Sequence, residues 1–294
     1  MNLKRNMLNR FVILIGLVSM IAFDISAKLS KKNDYPCADI KVSYNYHEKF
    51  LRGNNEFVEK DVSMLLLANS KQSKFYCPGT EYKDSLESTP SGRATRKQIR
   101  SIAYKKYHET GDESIMDGVV YQSFLYVFKD YAKEQSTIYD KAGILERGVY
   151  SESFSELTWE IGDSTKTVLG YECVMATADY HGRKWTAWFT PEIPVQDGPW
   201  KLRGLPGLIL EATEEKGHHS FVADGIEQSN QIIYPIYDKD KYDKMSRKEM
   251  LKSLRNTRDN GNSIIKASTG GMLDLGQDSQ PQTDYDFLET DYRL

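Results

Sequence analysis

The sequence predicts a mainly β protein of the α+β class: a single curved antiparallel sheet or half-barrel, of about eight to ten strands, with a few packed helices. Three observations point there. Ile40, Val42, Tyr44 and Tyr46 alternate with Lys41, Ser43, Asn45 and His47, the period-2 pattern of a half-buried strand. Further apolar runs recur along the chain, separated by short polar or glycine turns, as in a meander of hairpins. Only two stretches, 94–107 and 246–256, carry a clear helical pattern.

The 294-residue chain opens with Lys4, Arg5 and Arg10, followed by a largely apolar run at 11–23 and a small residue, Ala27. A basic start, an apolar core and a small-residue site form the order that a secretion channel reads, and the run is shorter than the roughly 17–25 residues that span a bilayer. Residues 1–27 are therefore expected to be a signal peptide. No cysteine sits in a lipobox setting at the end of that run. The expectation is an exported product of the periplasm or outer-membrane periphery that is not lipid-anchored.

Of the net charge of −3, residues 1–27 carry +2 (Lys4, Arg5 and Arg10 against Asp24), leaving −5 for the remainder. A mildly acidic chain lacks the basic face that nucleic acid requires. Residues 28–265 are expected to form one antiparallel β domain. Residues 266–294, with Asp274, Asp278, Asp284, Asp286, Glu289 and Asp291, are expected to form a flexible acidic tail.

In chain order, residues 38–50 form the first expected strand, and Arg52-Gly53-Asn54-Asn55 a turn. The apolar stretch 61–68 leads through Asn69-Ser70-Lys71-Gln72 into 73–77. Residues 82–92 read as a polar loop. In 94–107, Ile99, Ile102, Ala103 and Tyr107 share a helical stripe. Residues 119–128 return to β character and pair with 137–139. After 158–161, Gly162-Asp163-Ser164 reads as a turn into one long central strand, 166–179, apolar on both faces. His181-Gly182-Arg183 turns the chain into 184–190. Residues 207–213 and 220–224 form a hairpin across Glu214-Glu215-Lys216-Gly217. The last helix starts at Ser246, with Glu249 completing a capping box.

Three cysteines bear on the redox reading. Cys37 with Cys77 is the expected disulfide in an oxidising compartment, with Cys173 left as a buried thiol. No Cys-x-x-Cys pair is present.

Between the strands at 184–190 and 207–213, Pro191, Pro194, Pro199 and Pro206 fix the backbone and remove donors, so continuous sheet is impossible there. The stretch is expected to be a stiff bridge. Leu205-Pro206-Gly207-Leu208 fits a type II turn, with proline at the second corner and glycine at the third. Trp200 would form a lid over the sheet's open face.

Gly204-Leu205-Pro206-Gly207-Leu208-Ile209 is the literal signature of the GLPGLI family of exported proteins from Gram-negative bacteria. Trp188-Phe189-Thr190-Pro191-Glu192-Ile193-Pro194, Gly198-Pro199-Trp200-Lys201 and Gly170-Tyr171-Glu172-Cys173 also resemble it, so that the likeness runs over about residues 30–227. The resemblance implies an envelope setting beside outer-membrane transport proteins, and it brings no catalytic residues with it. By analogy of fold alone, the sheet is similar to the half-barrels of periplasmic lipoprotein carriers.

Motifs that would fix a chemistry are missing. No nucleophile elbow, P-loop or dinucleotide fingerprint occurs, and no cofactor is implied. His218 and His219 are adjacent and point to opposite faces of a strand, His47, His108 and His181 are scattered, and no His-x-His or His-Glu-x-x-His spacing exists; the histidines read as solvated turn residues, with no metal site. The acids at 238–243 lack the glycine and glutamate of a calcium loop.

Two function classes follow. The leading one is a non-enzymatic binding or accessory module for a small apolar or peptide ligand, or for an outer-membrane transport protein, with Trp185, Trp188, Trp200, Arg203 and Glu211 as candidate ligand-binding residues. The other is a secreted hydrolase using carboxylates brought together by the fold, Glu172 and Glu211 being the acids nearest the core. An aromatic-lined hollow favours the first, and two facing carboxylates in a polar cleft the second.

Overall fold

The structure, a computed structural model, describes residues 35–51, 57–112, 114–117, 119–144, 146–272 and 287–291. The expected signal peptide, the turn at 52–55 and much of the acidic tail lie outside the described residues.

Twelve strands form one sheet. They are β1 (Ile40–Leu51), β2 (Phe57–Ala68), β3 (Gln72–Tyr76), β4 (Tyr126–Asp130), β5 (Gln135–Lys141), β6 (Arg147–Ser153), β7 (Glu160–Val168), β8 (Tyr171–Tyr180), β9 (Arg183–Thr190), β10 (Leu208–Glu214), β11 (His219–Gln228) and β12 (Asp243–Lys244). Their spatial order is β12-β6-β5-β4-β3-β2-β1-β11-β10-β9-β8-β7. Two meanders, β1–β6 and β7–β11, are therefore joined along the antiparallel β1–β11 pair, which runs from Ile40 opposite Gln228 to Glu48 opposite His219. Only β12 is parallel to its neighbour, β6.

The sheet is open and strongly curved, as its contacts require. Nine steps separate β6 from β8 in the order, roughly 43 Å in a flat sheet at the usual strand spacing. Yet the Tyr180 hydroxyl at the end of β8 donates to Glu152 of β6 at 3.1 Å. The inner face thus folds toward itself, and one apolar cluster there joins Val42 and Tyr44, Leu66, Val127, Tyr150, Ala176, Trp185, Leu210 and Phe221. The alternation read in β1 places Val42, Tyr44 and Tyr46 on this face. On the outer face a second cluster of Leu67, Tyr76, Tyr126 and Tyr139 is covered by Ile233 and Tyr242 of the chain that follows β11.

Four α-helices are described: α1 (Pro78–Glu87), α2 (Pro90–Thr110), α3 (Ser114–Asp117) and α4 (Arg247–Ser268). None is long and apolar enough to cross a membrane. In α4 the Ser246–Glu249 capping box forms as expected. The expected polar loop at 82–92 is instead the end of α1 and the start of α2. Pro78 and Pro90 occupy first-turn positions, where a missing N–H costs nothing, and Thr89 Oγ1 caps the Gly92 N–H at 3.0 Å.

Other expectations are corrected. The long strand at 166–179 is broken by Leu169 and Gly170, with φ of 50° and 84°, the two positive values of a type I′ hairpin turn. Residues 162–164 lie within β7, at a register irregularity between Ile161 and Thr165. Of the run at 119–128 only 126–128 is strand, the start of β4. At Leu205-Pro206-Gly207, the Gly207 N–H donates to the Leu205 carbonyl at 2.8 Å, a three-residue γ-turn and not a type II turn.

Cys37, Cys77 and Cys173 are free thiols, so the expected Cys37–Cys77 disulfide is absent. Register explains it. Ile40 lies opposite Ala68 and Ala68 opposite Ser73, which puts Cys77 level with Tyr44, roughly 23 Å along the strands from Cys37. A disulfide tolerates less than about 7 Å between Cα atoms.

Glycine at 207 is required by close approach: a Cβ there would stand 2.1 Å from the Thr190 carbonyl oxygen and 2.9 Å from Pro191 Cα. Gly207→Ala is expected to cost about 3 kcal/mol in urea unfolding. Gly204→Ala, with φ of 87° but open space around it, is expected to cost only about 1–2 kcal/mol.

Candidate functional site

The bridge at 191–207 is stiff because it is hydrogen-bonded to itself and latched to the sheet. Its backbone closes through Gly204 N–H to the Gln196 carbonyl (3.1 Å), Leu208 N–H to Ile193 (3.1 Å) and Ile209 N–H to Asp197 (3.0 Å). The latch is an ion pair between Lys129 of β4 and Asp197, both side chains with no solvent exposure. Lys129 also donates to the Gly198 carbonyl at 2.9 Å, and the Tyr131 hydroxyl to Asp197 at 2.6 Å. Burial lowers the Lys129 pKa, and the Asp197 carboxylate opposes that shift.

Held this way, the bridge drives Trp200 and Lys201 into the inner face. Trp200 has a positive φ of 51° and packs at 5.5 Å from Trp185 and 5.6 Å from Tyr180. Such backbone costs of order 1–2 kcal/mol and persists only where packing over-determines it. Lys201 lies 3.0 Å from Glu152 of β6 and 2.6 Å from Glu289.

Glu289 belongs to residues 287–291, part of the expected flexible acidic tail, yet these five residues are docked. Thr290 N–H donates to the His181 carbonyl at 2.9 Å, Arg183 Nε donates to the Phe287 carbonyl at 2.9 Å, and Arg247 of α4 pairs with Glu289 and Asp291. His181 stands 3.4 Å from Glu152 and 3.5 Å from Asp291. Burial alone would raise the pKa of Glu152, but Lys201 and His181 pull it down to about 2. Glu289 and Asp291 are also lowered, against burial, by Lys201 and His181 for the first and by Arg247 for the second.

Two triads here, Glu152–Glu156–His181 and His181–Glu289–Asp291, have ligand atoms close enough together for a metal ion. Chemistry argues for a different role. Lys201 already reaches Glu152 and Glu289, and Arg247 reaches Glu289 and Asp291, so a divalent ion would compete with two cations for the same carboxylates. The arrangement is a salt-bridge knot tying β6, the β8–β9 turn, the bridge, α4 and the C-terminal segment.

An open cleft of about 570 Å³ lies beside the bridge. Ile40, Phe154, Pro194 and Val195 give it apolar surface, Arg203 and Gly204 line it from the signature side, and Asp39, Glu134 and Asn69 add polar and acidic groups. The Arg203 guanidinium stacks 3.4 Å above the Phe154 ring and donates to the Phe154 carbonyl. Its own carbonyl accepts from Trp159 Nε1 at 2.8 Å. No described carboxylate pairs with it, and burial lowers its pKa.

The five candidate ligand-binding residues are thus separated. Trp185 and Trp200 are 0% and 1% exposed and fill the core. Trp188 and Glu211 stand opposite each other on β9 and β10, with Lys166 paired to Glu211 at 2.6 Å and 4.5 Å above the Trp188 ring. Arg203 alone reaches the cleft. Within the signature, Leu205, Leu208 and Ile209 are buried.

The histidines correct another expectation. His181 and His219 are buried, not solvated, and His219 Nδ1 lies 2.9 Å from the Tyr46 hydroxyl. Sequence reading missed Lys129, Asp197, Glu152 and Lys201. The available signal was parity: Lys129 and Glu152 occupy inward positions of their strands, in step with Val127 and Tyr150.

Residues 179–211 match a family model described as "Protein of unknown function (Porph_ging)", a span running from the end of β8 through the bridge into β10. Comparison with curated proteins finds no match. Among solved structures, PNGF-II in its P21 and C2 crystal forms is similar at 11% identity, with TM-scores of 0.46 and 0.45. The alignment covers 74% of this chain and 33% of PNGF-II, so the chain spans about a third of that protein's length.

The depressed carboxylates fix the sign of an acid response. Their folded pKa values lie below the unfolded ones, so their stabilisation is full above about pH 4.5 and is lost as pH falls toward 2. Urea unfolding at pH 6, 4 and 3 is expected to show that loss. Lys201→Met is expected to flatten it and to cost about 3–5 kcal/mol at pH 6.

Proposed function

We propose that this chain is an exported envelope protein of GLPGLI type, and that it binds rather than transforms its ligand. The ligand class is an apolar molecule ending in a carboxylate, such as an acyl chain or the C-terminus of a hydrophobic peptide. One observation carries the reading: Arg203, stacked on Phe154 and without a described ion-pair partner, lines a 570 Å³ cleft of mixed character, in which Ile40, Phe154, Pro194 and Val195 are apolar and the carboxylates Asp39 and Glu134 are the competing charges. The volume falls within the roughly 300–1,000 Å³ usual for small-molecule sites, which combine apolar lining with a few placed polar groups. A planar guanidinium matches a carboxylate bidentately.

The hydrolase alternative is less well supported. The acids that the fold brings together, Glu152 and Glu289, are occupied by Lys201, Arg247 and two tyrosine hydroxyls, which leaves that reading Asp39 and Glu134 of the cleft. Glu211 is paired with Lys166.

Calorimetric titration of the chain from residue 28 with decanoate, and with a hydrophobic tripeptide and its C-terminal amide, tests the ligand class. A free carboxylate is expected to bind at least about tenfold tighter than the amide, as one charge-assisted contact allows. Arg203→Ala is expected to remove that preference. Equal binding of acid and amide, or an unchanged Arg203→Ala variant, would defeat the reading. Export is checked separately by fractionating cells that express the full chain, with a periplasmic product starting at Lys28 as the expected result.

A further inference from the structure

A second, smaller chamber of about 190 Å³ lies on the inner face of the sheet. It is distinct from the cleft at Arg203 and shares no lining residue with it. Tyr46 of β1, Asp140 of β5, Tyr150 of β6 and Trp200 of the bridge line it, while α4 and residues 287–289 roof it. Glu48, Ser123 and Leu254, all half-buried, form its more open side.

The chamber's charges do not cancel. Glu289 is matched by Lys201 and Arg247, and Glu48 faces Lys60 at 3.5 Å. Asp140 accepts one hydrogen bond, from the Lys141 backbone N–H at 2.7 Å, and forms no ion pair among the described residues. The groups acting on it are Glu289 from the C-terminal segment, Lys201 from the bridge and Lys141 from its own strand. The phenols of Tyr46 and Tyr150 feel its charge in turn. Burial, reinforced by Glu289, pushes the Asp140 carboxyl up to about 7.

We propose that this chamber is a binding site for a small organic ammonium ion, held by the Asp140 carboxylate and the aromatic rings of Tyr46, Tyr150 and Trp200. One positive charge would complete the set, and aromatic faces with a carboxylate are the usual surroundings of a bound ammonium. Two of these rings already host a cation from the protein: the Lys201 ammonium lies 5.0 Å from the Tyr150 centroid and 5.4 Å from that of Trp200. A neutral guest would leave the half-buried carboxylate without a counter-charge, and an anion would be repelled by it. A metal ion fits poorly, because Asp140 belongs to neither close ligand triad. The volume is below that of drug-sized sites, which limits the guest to a few carbon atoms.

Choline and its neutral carbon isostere 3,3-dimethylbutan-1-ol are the probes, titrated into the chain from residue 28. Choline is expected to bind at least tenfold tighter than the isostere. Asp140→Asn is expected to weaken choline at least tenfold and to leave the isostere unchanged. A cation favours the ionised carboxylate, so affinity is expected to rise about tenfold between pH 6 and 8, with proton release seen as a buffer-dependent heat. Equal binding of the two probes, no choline binding at millimolar concentration, or pH-independent affinity overturns the proposal. Should Asp140→Asn fail to fold, proton release by the unmodified chain decides it. None of these readouts involves the Arg203 cleft, so either reading can fail without the other.

Discussion

Lys201, with no solvent exposure, stands between two carboxylates that reach it from different ends of the chain: Glu152 on β6 and Glu289 near the C-terminus. This knot holds the sheet's curl together with the apolar cluster of the inner face. Without the contacts among Lys201, Glu152, Tyr180 and His181, little in the strand ladder would bring β6 back to the β8–β9 turn. Buried charges of this kind are poor sources of net stability, because desolvation offsets most of their attraction. Their effect is on shape. A sheet flatter or more open than this one would draw Glu152 and Glu289 apart and break their shared contact with Lys201, so the curvature and the pairing are specified together.

The bridge at 191–207 makes both cavities from one stretch of chain. Its residues 200 and 201 turn inward to the core and the charged knot, and Arg203, two positions on, turns outward to the cleft. The Lys129–Asp197 latch fixes both directions at once, since it holds the carbonyls of Gly198 and Leu202 on either side of Trp200. The shape of the cleft and the packing of the core are therefore coupled through a few residues of the bridge.

Much of the fold was legible in the sequence where local rules act alone. The alternation of β1, the β10–β11 hairpin, the His181-Gly182 turn and the Ser246–Glu249 capping box all form as read. Failures came where tertiary context overrides the local pattern. In β6 the inward residues are Gly148, Tyr150 and Glu152, which carry no apolar period. The β7–β8 turn uses Leu169 in left-handed backbone, a residue that propensity would not place there. Helix α1 is mostly polar and signalled only by Pro78.

The site was less legible for the same reason. Tryptophans suggest a groove, but the largest side chains also gain most from complete burial, and Trp185 and Trp200 take that course. Lys129 and Asp197 are 68 residues apart, and no spacing rule links them. Nothing in the local pattern singles out Asp140, whose neighbours Tyr150, Trp200 and Glu289 come from other parts of the chain. Arg203 was found because it adjoins the signature.

The pairing of β1 with β11 has a consequence for how the chain is made. β1 is the first of the described strands in chain order and lies in the middle of the sheet, but one of its two neighbours arrives only with Gln228. During synthesis β1–β6 can assemble as a meander of local contacts, while one flank of β1 waits bare. That flank is a template for any extended chain nearby. The long interval between the two partners leaves that flank uncovered until β11 pairs with it.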